Sequence, residues 1–191
     1  MNKEVEIYVL LTNTGTLFSK TIQWYTKNRL NHASIAFDSD LNEVYSFGRK
    51  NPSNPFFAGF VKEDVRGEFF EHSTCALYRC KISPCAYTSI RNQIIYMEQN
   101  RDQYKYNLLG MLGIMLNIEM KREYAYFCSQ FVASVFEESG VSLVNKPSLF
   151  VTPGDLQNTA LLDLVYHGKL QSYTGCKEEL QATGTGAFRT A

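Results

Sequence analysis

Alternating hydrophobic positions predict strands in several parts of the chain. Every second residue from Val5 to Leu11 is aliphatic, which predicts a half-buried strand over residues 4–11. Two short segments rich in small and apolar residues flank the polar turn 38–40, and together they predict a β-hairpin over residues 32–47. The other predicted strands cover residues 75–82 and 164–173.

Apolar residues spaced three and four apart predict helices. Ser83 followed by Pro84 is typical of a helix start, and a second helix begins at or near Cys128 and ends at Gly140. The apolar faces of these two helices consist of Tyr87, Ile90, Ile94 and Met97 in the first and Phe131, Val132, Val135 and Phe136 in the second. Further helices are predicted from Leu17 to Tyr25 and from Thr152 to about Leu164.

These elements predict an α+β fold, in which an antiparallel sheet is packed with helices in one domain over residues 1–175. The chain has 191 residues, of which 45% are hydrophobic and 14% aromatic, so a sizeable core needs no metal or crosslink. Residues 49–74 are predicted as a loop, and the role of its Phe-rich part, residues 56–70, stays open. The tail over residues 176–191 has little apolar content and is predicted to be mobile.

Charge and cysteine usage narrow the functional classes. Lys and Arg number 19 and Asp and Glu also number 19, so no basic excess is present and nucleic-acid binding is not expected. The five cysteines are odd in number and form no CxxC pair, which argues against a disulfide framework or a structural zinc site. No metal or organic cofactor is therefore predicted.

The N-terminal segment has the features of a mature strand, not of a signal peptide. The longest uncharged apolar stretch, Leu108–Ile118, has 11 residues, whereas a membrane span needs about 20. A buried helix or packed loop is the favoured interpretation of this stretch, and contact with an acyl chain is the alternative. We therefore expect a cytoplasmic protein without membrane association, and the sequence leaves its oligomeric state open.

Cys128 and His32 carry the candidate chemistry. A thiolate is a competent nucleophile, and a helix N-terminus favours its negative charge. An imidazole can take the thiol proton and later protonate a leaving group. Taken on spacing alone, Cys128 is equally well interpreted as an inert core thiol, because free cysteine is among the most buried residue types.

Two short segments resemble the circularly permuted papain-like cysteine hydrolases. The first is the predicted hairpin, with the sequences NHASIA at 31–36 and VYSF at 44–47. The second is the start of the predicted helix, with the sequence YFCSQFV at 126–132. The family includes NlpC-type amidases of the YiiX-like group and is related to the lecithin:retinol acyltransferase-like enzymes; its His strand precedes its Cys helix. The resemblance implies that Cys128 is the nucleophile and His32 the general base.

The third residue of the family pattern falls on Ser46, where the family usually has His or an acid. Pairing residues 32–37 with 43–48 brings Ser46 opposite or diagonal to His32. A hydroxyl can fix an imidazole tautomer, but it cannot stabilise an imidazolium as a carboxylate does. Glu43 is the reserve candidate, because a bulge in the hairpin would bring it to the face of His32.

Tyr126 is the candidate for a second donor to an oxyanion, beside the backbone N–H of Cys128. The predicted function is hydrolysis of an amide bond in a peptide, an isopeptide or a cell-wall peptide, through a thioester on Cys128. The expected partner is thus a peptide-like or acyl substrate. The alternatives are a lipid acyltransferase or phospholipase using the same dyad, and a catalytically inactive papain-like binding module.

Overall fold

The computed structural model describes residues 3–13, 29–50, 58–106 and 124–175. Its strands are β1 Val5–Asn13, β2 His32–Ala36, β3 Val44–Arg49, β4 Ala58–Glu63, β5 Thr74–Ile82, β6 Lys105–Tyr106, β7 Ala125–Tyr126 and β8 Asp163–Lys169. Its α-helices are α1 Pro84–Gln99, α2 Cys128–Glu138 and α3 Pro153–Gln157. Short 3-10 helices cover Glu68–Phe70, Ser148–Phe150 and Leu170–Ser172. The predicted α+β class is confirmed at this level.

The eight strands form one sheet in the order β7-β6-β4-β3-β2-β1-β5-β8. All neighbouring pairs are antiparallel except β6 and β7. The predicted hairpin is confirmed, because β2 pairs with β3 in the register that places Ile35 opposite Tyr45 and Ala36 opposite Val44. This register contains no bulge between the two strands.

The two faces of the sheet bury different parts of the chain. On one face, β1 and β2 contribute Ile7, Val9 and Ile35 to a core that also contains the apolar residues of α1 and α2. The other face packs a smaller cluster around Leu10, Leu77 and Leu170. Side chains alternate between the faces of a strand, so β2 sends Ala33 and Ile35 to the helical side and Ser34 and Ala36 to the other.

Local sequence explains where the two longer helices begin and end. The Ser83 side chain accepts a hydrogen bond from the Ala86 N–H at 3.1 Å, and Pro84 occupies the first helical position. Helix α2 follows directly after the short strand β7, with Phe127 as its N-cap residue. Gly140, at φ +82°, lies just beyond its end in a conformation that favours glycine.

Two predictions differ from the structure. The helix predicted to reach Leu164 ends at Gln157, and the chain beyond it forms β8, which pairs with β5. Asn158 and Thr159 are weak helix formers, and the Thr159 hydroxyl donates to the Leu143 carbonyl at 2.5 Å instead of continuing the helix. The loop predicted over residues 49–74 contains β4. Its sequence, AGFVKE, has no clear alternation of apolar and polar residues, so no strand was predicted there.

Several sequence interpretations lie outside the described residues. They are the helix from Leu17 to Tyr25, the apolar stretch Leu108–Ile118, the beginning of the Phe-rich loop 56–70, the tail 176–191 and Cys176. Within the described ranges, no helix combines the length and the apolar character that crossing a membrane would require.

Replacing Ser83 tests the cap of α1. Ser83→Ala removes the hydrogen bond to the Ala86 N–H, and we expect a loss of about 1 kcal/mol in the free energy of unfolding, measured with urea. Ser83→Asp keeps an acceptor at the cap and should stay within a few tenths of a kcal/mol of the wild type. Equal losses in both variants would contradict a capping role, since both change the same exposed side chain.

Candidate active site

The start of α2 and the start of β2 bring Cys128 and His32 together. Cys128 is the first residue of α2 and is 6% exposed, and His32 is the first residue of β2. The two side chains are close enough for Cys128 to act on the imidazole and raise the pKa of His32. The His32 Nε2 atom faces a different partner, so Nδ1 is the ring nitrogen left for the thiol. The structure thus brings together the two residues that carry the predicted chemistry.

The partner of His32 Nε2 is Glu63, the last residue of β4. Glu63 Oε1 lies 2.7 Å from Nε2, and only 14% of the His32 side chain and 7% of the Glu63 side chain are exposed. The Ser46 hydroxyl donates to the same oxygen, Oε1, at 2.7 Å. The Ser34 hydroxyl donates to the other oxygen, Oε2, at 2.6 Å. Glu63 is therefore a buried acceptor with three donors.

Burial and charge oppose each other in this pair. Burial by itself would lower the pKa of His32, but the charge of Glu63 and the hydrogen-bonding effects of Cys128 and Glu63 on the imidazole raise it to about 10. Burial would also raise the pKa of Glu63, but the charge of His32 and the hydrogen bonds from His32, Ser34 and Ser46 hold it below its ordinary value. At neutral pH the pair is an imidazolium with a carboxylate.

Strand β3 leaves room for this contact. Glu63 and His32 lie on β4 and β2, with β3 between them. The hairpin register, continued along β3, places Ser46 opposite Ser34 and Gly48 opposite His32. A Cβ atom on Gly48 would lie 3.2 Å from Ser46 Oγ and 3.5 Å from both Glu63 Oε1 and His32 Cε1. The absence of a side chain at Gly48 therefore lets the carboxylate reach across β3.

Ser46 lies on the predicted face of β3, but its described hydrogen bond goes to Glu63 and not to His32. Ser46 was the predicted third polar residue, although a hydroxyl stabilises an imidazolium poorly. The structure supplies a carboxylate instead, from the next strand of the sheet. Ser46 contacts the acid that contacts His32.

Glu43, the reserve candidate, is wrong as the partner of His32. Its carboxylate pairs with Arg91 of α1 and accepts a hydrogen bond from the Tyr45 hydroxyl at 3.0 Å. The hairpin has no bulge, so Glu43 stays on the face of Tyr45, opposite to that of Ser46. The hydrogen bond from Arg91 is the largest cause that holds the pKa of Glu43 below its ordinary value. The Tyr45 hydrogen bond and the charge of Arg91 also lower this pKa, whereas burial opposes them.

Tyr106, not the predicted Tyr126, is the tyrosine whose pKa depends on the charge of Cys128. Burial raises the pKa of Tyr106 well above its ordinary value, negative charge on Cys128 adds to the rise, and Arg49 opposes it. The Tyr126 ring packs on the Phe47 ring, with 5.1 Å between centroids, and is partly buried against the main core. Tyr106 therefore keeps its proton near neutral pH, whereas the described contacts of Tyr126 give it a packing role.

Sequence reasoning missed Glu63 because its neighbours look like a solvated surface. Glu63 stands between Lys62 and Asp64, and both neighbours are exposed. One signal was present: Phe60 and Val61 are strand formers within the short segment 58–63, which follows the hairpin along the chain. Treating this segment as a third strand after the hairpin would have placed Glu63 on the face of Ser46, as the observed pairing does.

The other titratable candidates lie apart from this site. His72 and His167 are exposed. Burial raises the pKa of Cys75 to about 12 and that of Cys80 to about 11, so both keep their protons near neutral pH. Across the described ranges, no group of three or more His, Cys, Asp or Glu residues is arranged to hold a metal ion.

The shifted pKa values predict how stability depends on pH. His32, with its raised pKa, stabilises the fold fully below pH 6.5, and this contribution is lost as the pH rises to about 10. Glu63, with its lowered pKa, contributes fully above pH 4.5 and loses its contribution as the pH falls. Both contributions are complete between these two values.

A double variant, His32→Gln with Glu63→Gln, measures this contribution. We expect its deficit in the free energy of unfolding, relative to wild type, to be largest near pH 5.5 and to shrink toward pH 10 and toward pH 3. Urea unfolding at these three pH values gives the comparison. A deficit that is equal at all three would mean that the pair is not ionised in the folded protein.

Comparison of the sequence with known proteins gives no relative from which a function could be inferred. The sequence matches no protein-family model and no curated protein sequence at a significant level. The functional argument therefore depends on the geometry of Cys128, His32 and Glu63.

Proposed function

We propose that this protein is a cysteine hydrolase that cleaves an amide bond through a thioester on Cys128. The observation that carries the proposal is the order of contacts from Cys128 to His32 to Glu63, with the carboxylate buried and ionised. Nucleophile, base and orienting acid in this order form the constellation of acyl-transfer catalysis.

The position of Cys128 supports its role as the nucleophile. Cys128 occupies the first turn of α2, where backbone N–H groups have no acceptor within the helix and the helix dipole favours negative charge. A protonated His32 beside the sulfur adds a positive charge. These are the conditions under which cysteine becomes a nucleophile near neutral pH.

The reaction follows from these positions. Cys128 Sγ attacks the carbonyl carbon and forms a C–S bond, while His32 gives its proton to the leaving amine as the C–N bond breaks. Neutral His32 then takes a proton from water, whose oxygen attacks the thioester. The C–S bond breaks, the carboxylic acid leaves, and His32 is again an imidazolium beside a thiolate. Glu63 stabilises the charged state of His32 in each half of the cycle.

We assign two donors to the oxyanion of the tetrahedral intermediate. The first is the backbone N–H of Cys128, which lies in the first turn of α2. The second is the hydroxyl of Tyr106, which keeps its proton and whose pKa depends on the charge of Cys128. Tyr106 thus takes the role that was predicted for Tyr126.

We further propose the permuted papain-like arrangement for this chain. The strand that carries His32 precedes the helix that carries Cys128, and that helix packs against β2 and β3 of the sheet. Glu63 favours an active enzyme over the inactive binding module, since a carboxylate replaces the weak hydroxyl partner expected at Ser46. The lipid-acting alternative depended on residues 108–118, outside the described ranges, and gains no support.

Trapping the acyl-enzyme tests the proposal. Incubation with a p-nitrophenyl acyl ester should add one acyl mass to Cys128, detected by mass spectrometry of the intact protein and its peptides, and hydroxylamine should remove it. Cys128→Ala should abolish the adduct, and His32→Ala should slow its formation about 10²- to 10⁴-fold, because the proton transfers are lost. Peptide amides in place of the ester then identify the bond that is turned over.

Cys85→Ala is the matched control for this experiment. Cys85 is exposed on α1, away from the site. Its removal therefore shows the effect of losing an accessible thiol that has no proposed role. Acylation of Cys128 should continue unchanged in this variant. The proposal fails if the acyl group is found on Cys85 in the wild type, or if folded Cys128→Ala is acylated as fast.

A further inference from the structure

Two buried serines, Ser34 on β2 and Ser46 on β3, are the donors to Glu63 besides His32 in the described part of the chain. Both are 0% exposed, and their hydroxyls donate to different oxygens of the carboxylate, at 2.6 Å to Oε2 and 2.7 Å to Oε1. Neither hydroxyl makes a described contact with Cys128. Their contact with Glu63 suggests a role that acts through the acid.

The position of Glu63 shows why such a role is needed. Its side chain crosses β3 to reach His32, and a glutamate has several rotatable bonds that burial must fix. His32 contacts only Oε1, so Oε2 would be a buried charged oxygen without a described donor if Ser34 were removed. The two hydroxyls therefore fix both ends of the carboxylate and supply the hydrogen bonds that its ionised form requires.

We propose that Ser34 and Ser46 are positioning residues that hold the ionised carboxylate of Glu63 against His32 across the intervening strand β3. This role rests on the proposed function for its catalytic meaning, but the contact it controls can be measured without any substrate. Ser34 has the larger effect of the two, because it is the only described donor to Oε2, whereas Oε1 keeps His32 when Ser46 is removed.

The charged groups that act on this network are few within the described ranges. His32 faces Glu63 from β2, Cys128 acts on His32 from α2, and the charge of Cys128 acts on Tyr106 of β6. Strand β3 contributes Ser46 and Gly48 on the side of the carboxylate, and neither titrates. A change in the titration of His32 in a serine variant therefore reports on Glu63, provided that Cys128 and Tyr106 are unchanged.

NMR titration of the histidine rings tests the proposal. The chain has three histidines, so the exposed His72 and His167 provide internal references in the same sample. In the wild type the His32 ring should titrate near pH 10. In Ser34→Ala we expect this midpoint to fall by about one pH unit, with a smaller fall in Ser46→Ala and the largest in the double variant. Ser34→Thr and Ser46→Thr, which keep the hydroxyl, should restore most of the shift.

Ser139→Ala is the matched control, because Ser139 is a hydrogen-bonded serine whose hydroxyl contacts Ser89 and the Val135 carbonyl, not Glu63. It should leave the His32 midpoint unchanged. Thermal unfolding confirms that each variant is folded at the temperature of the titration. An unchanged midpoint in the Ser34→Ala, Ser46→Ala double variant would overturn the proposal. A raised His32 midpoint would also overturn the proposal. It would mean that Glu63 stays against His32 without the serines, and that their hydrogen bonds only reduce the effect of its charge on His32.

Alkylation of Cys128 by iodoacetamide in the same variants separates this inference from the proposed function. If the His32 midpoint falls and wild-type Cys128 is unreactive, the positioning role stands and the hydrolase is wrong. If Cys128 is reactive and the midpoint does not move, the hydrolase stands and the positioning role is wrong.

Discussion

A carboxylate buried in a β-sheet stays ionised only if neighbouring groups supply positive charge or hydrogen bonds. This requirement explains which residues surround Glu63. Glu63 is 7% exposed, and an isolated carboxylate at such a position would take up a proton. Contacts from β2 and β3 keep it ionised, through one imidazolium and two hydroxyls. Three consecutive strands of the sheet are thus tied together by the chemistry of one side chain.

The same compensation changes the behaviour of His32. Burial alone favours neutral imidazole, but the charge of Glu63 reverses this preference and holds the proton on the ring. The proton held on His32 faces Cys128 at the N-terminus of α2. The proposed mechanism uses this order of groups, in which Glu63 holds the proton on the base and the base acts on the nucleophile.

Much of the fold could be predicted from local patterns. The hairpin of β2 and β3, the cap of α1 at Ser83 and the start of α2 at Cys128 follow from short-range rules, and the structure has all three. Cys128 and His32 were predicted as nucleophile and base from the resemblance of two short segments to the permuted papain-like hydrolases, because spacing alone left Cys128 equally well interpreted as an inert core thiol. The register of the hairpin also placed Ser46 on the correct face of β3.

The acid could not be identified from the hairpin alone, because its contact with His32 crosses a strand. Sequence spacing indicates which residues face a neighbouring strand, but it does not show that a long side chain passes over Gly48 to the strand beyond. Local spacing also could not choose between two tyrosines. Tyr106 and Tyr126 occupy paired positions on β6 and β7 and both pack against the main core, so sequence spacing does not show that Tyr106 is the one affected by the charge of Cys128.

The pH dependence of Cys128 alkylation in wild type and Glu63→Gln tests the central claim most directly. Labelling by iodoacetamide, quantified at each cysteine by mass spectrometry, uses the exposed Cys85 as an internal reference and Glu43→Gln as the matched loss of another carboxylate. The account predicts that near pH 7 wild-type and Glu43→Gln Cys128 react at least about tenfold faster than Cys85, and that Glu63→Gln loses this advantage because His32 no longer holds its proton. Equal rates at Cys128 in the wild type and in Glu63→Gln would contradict it.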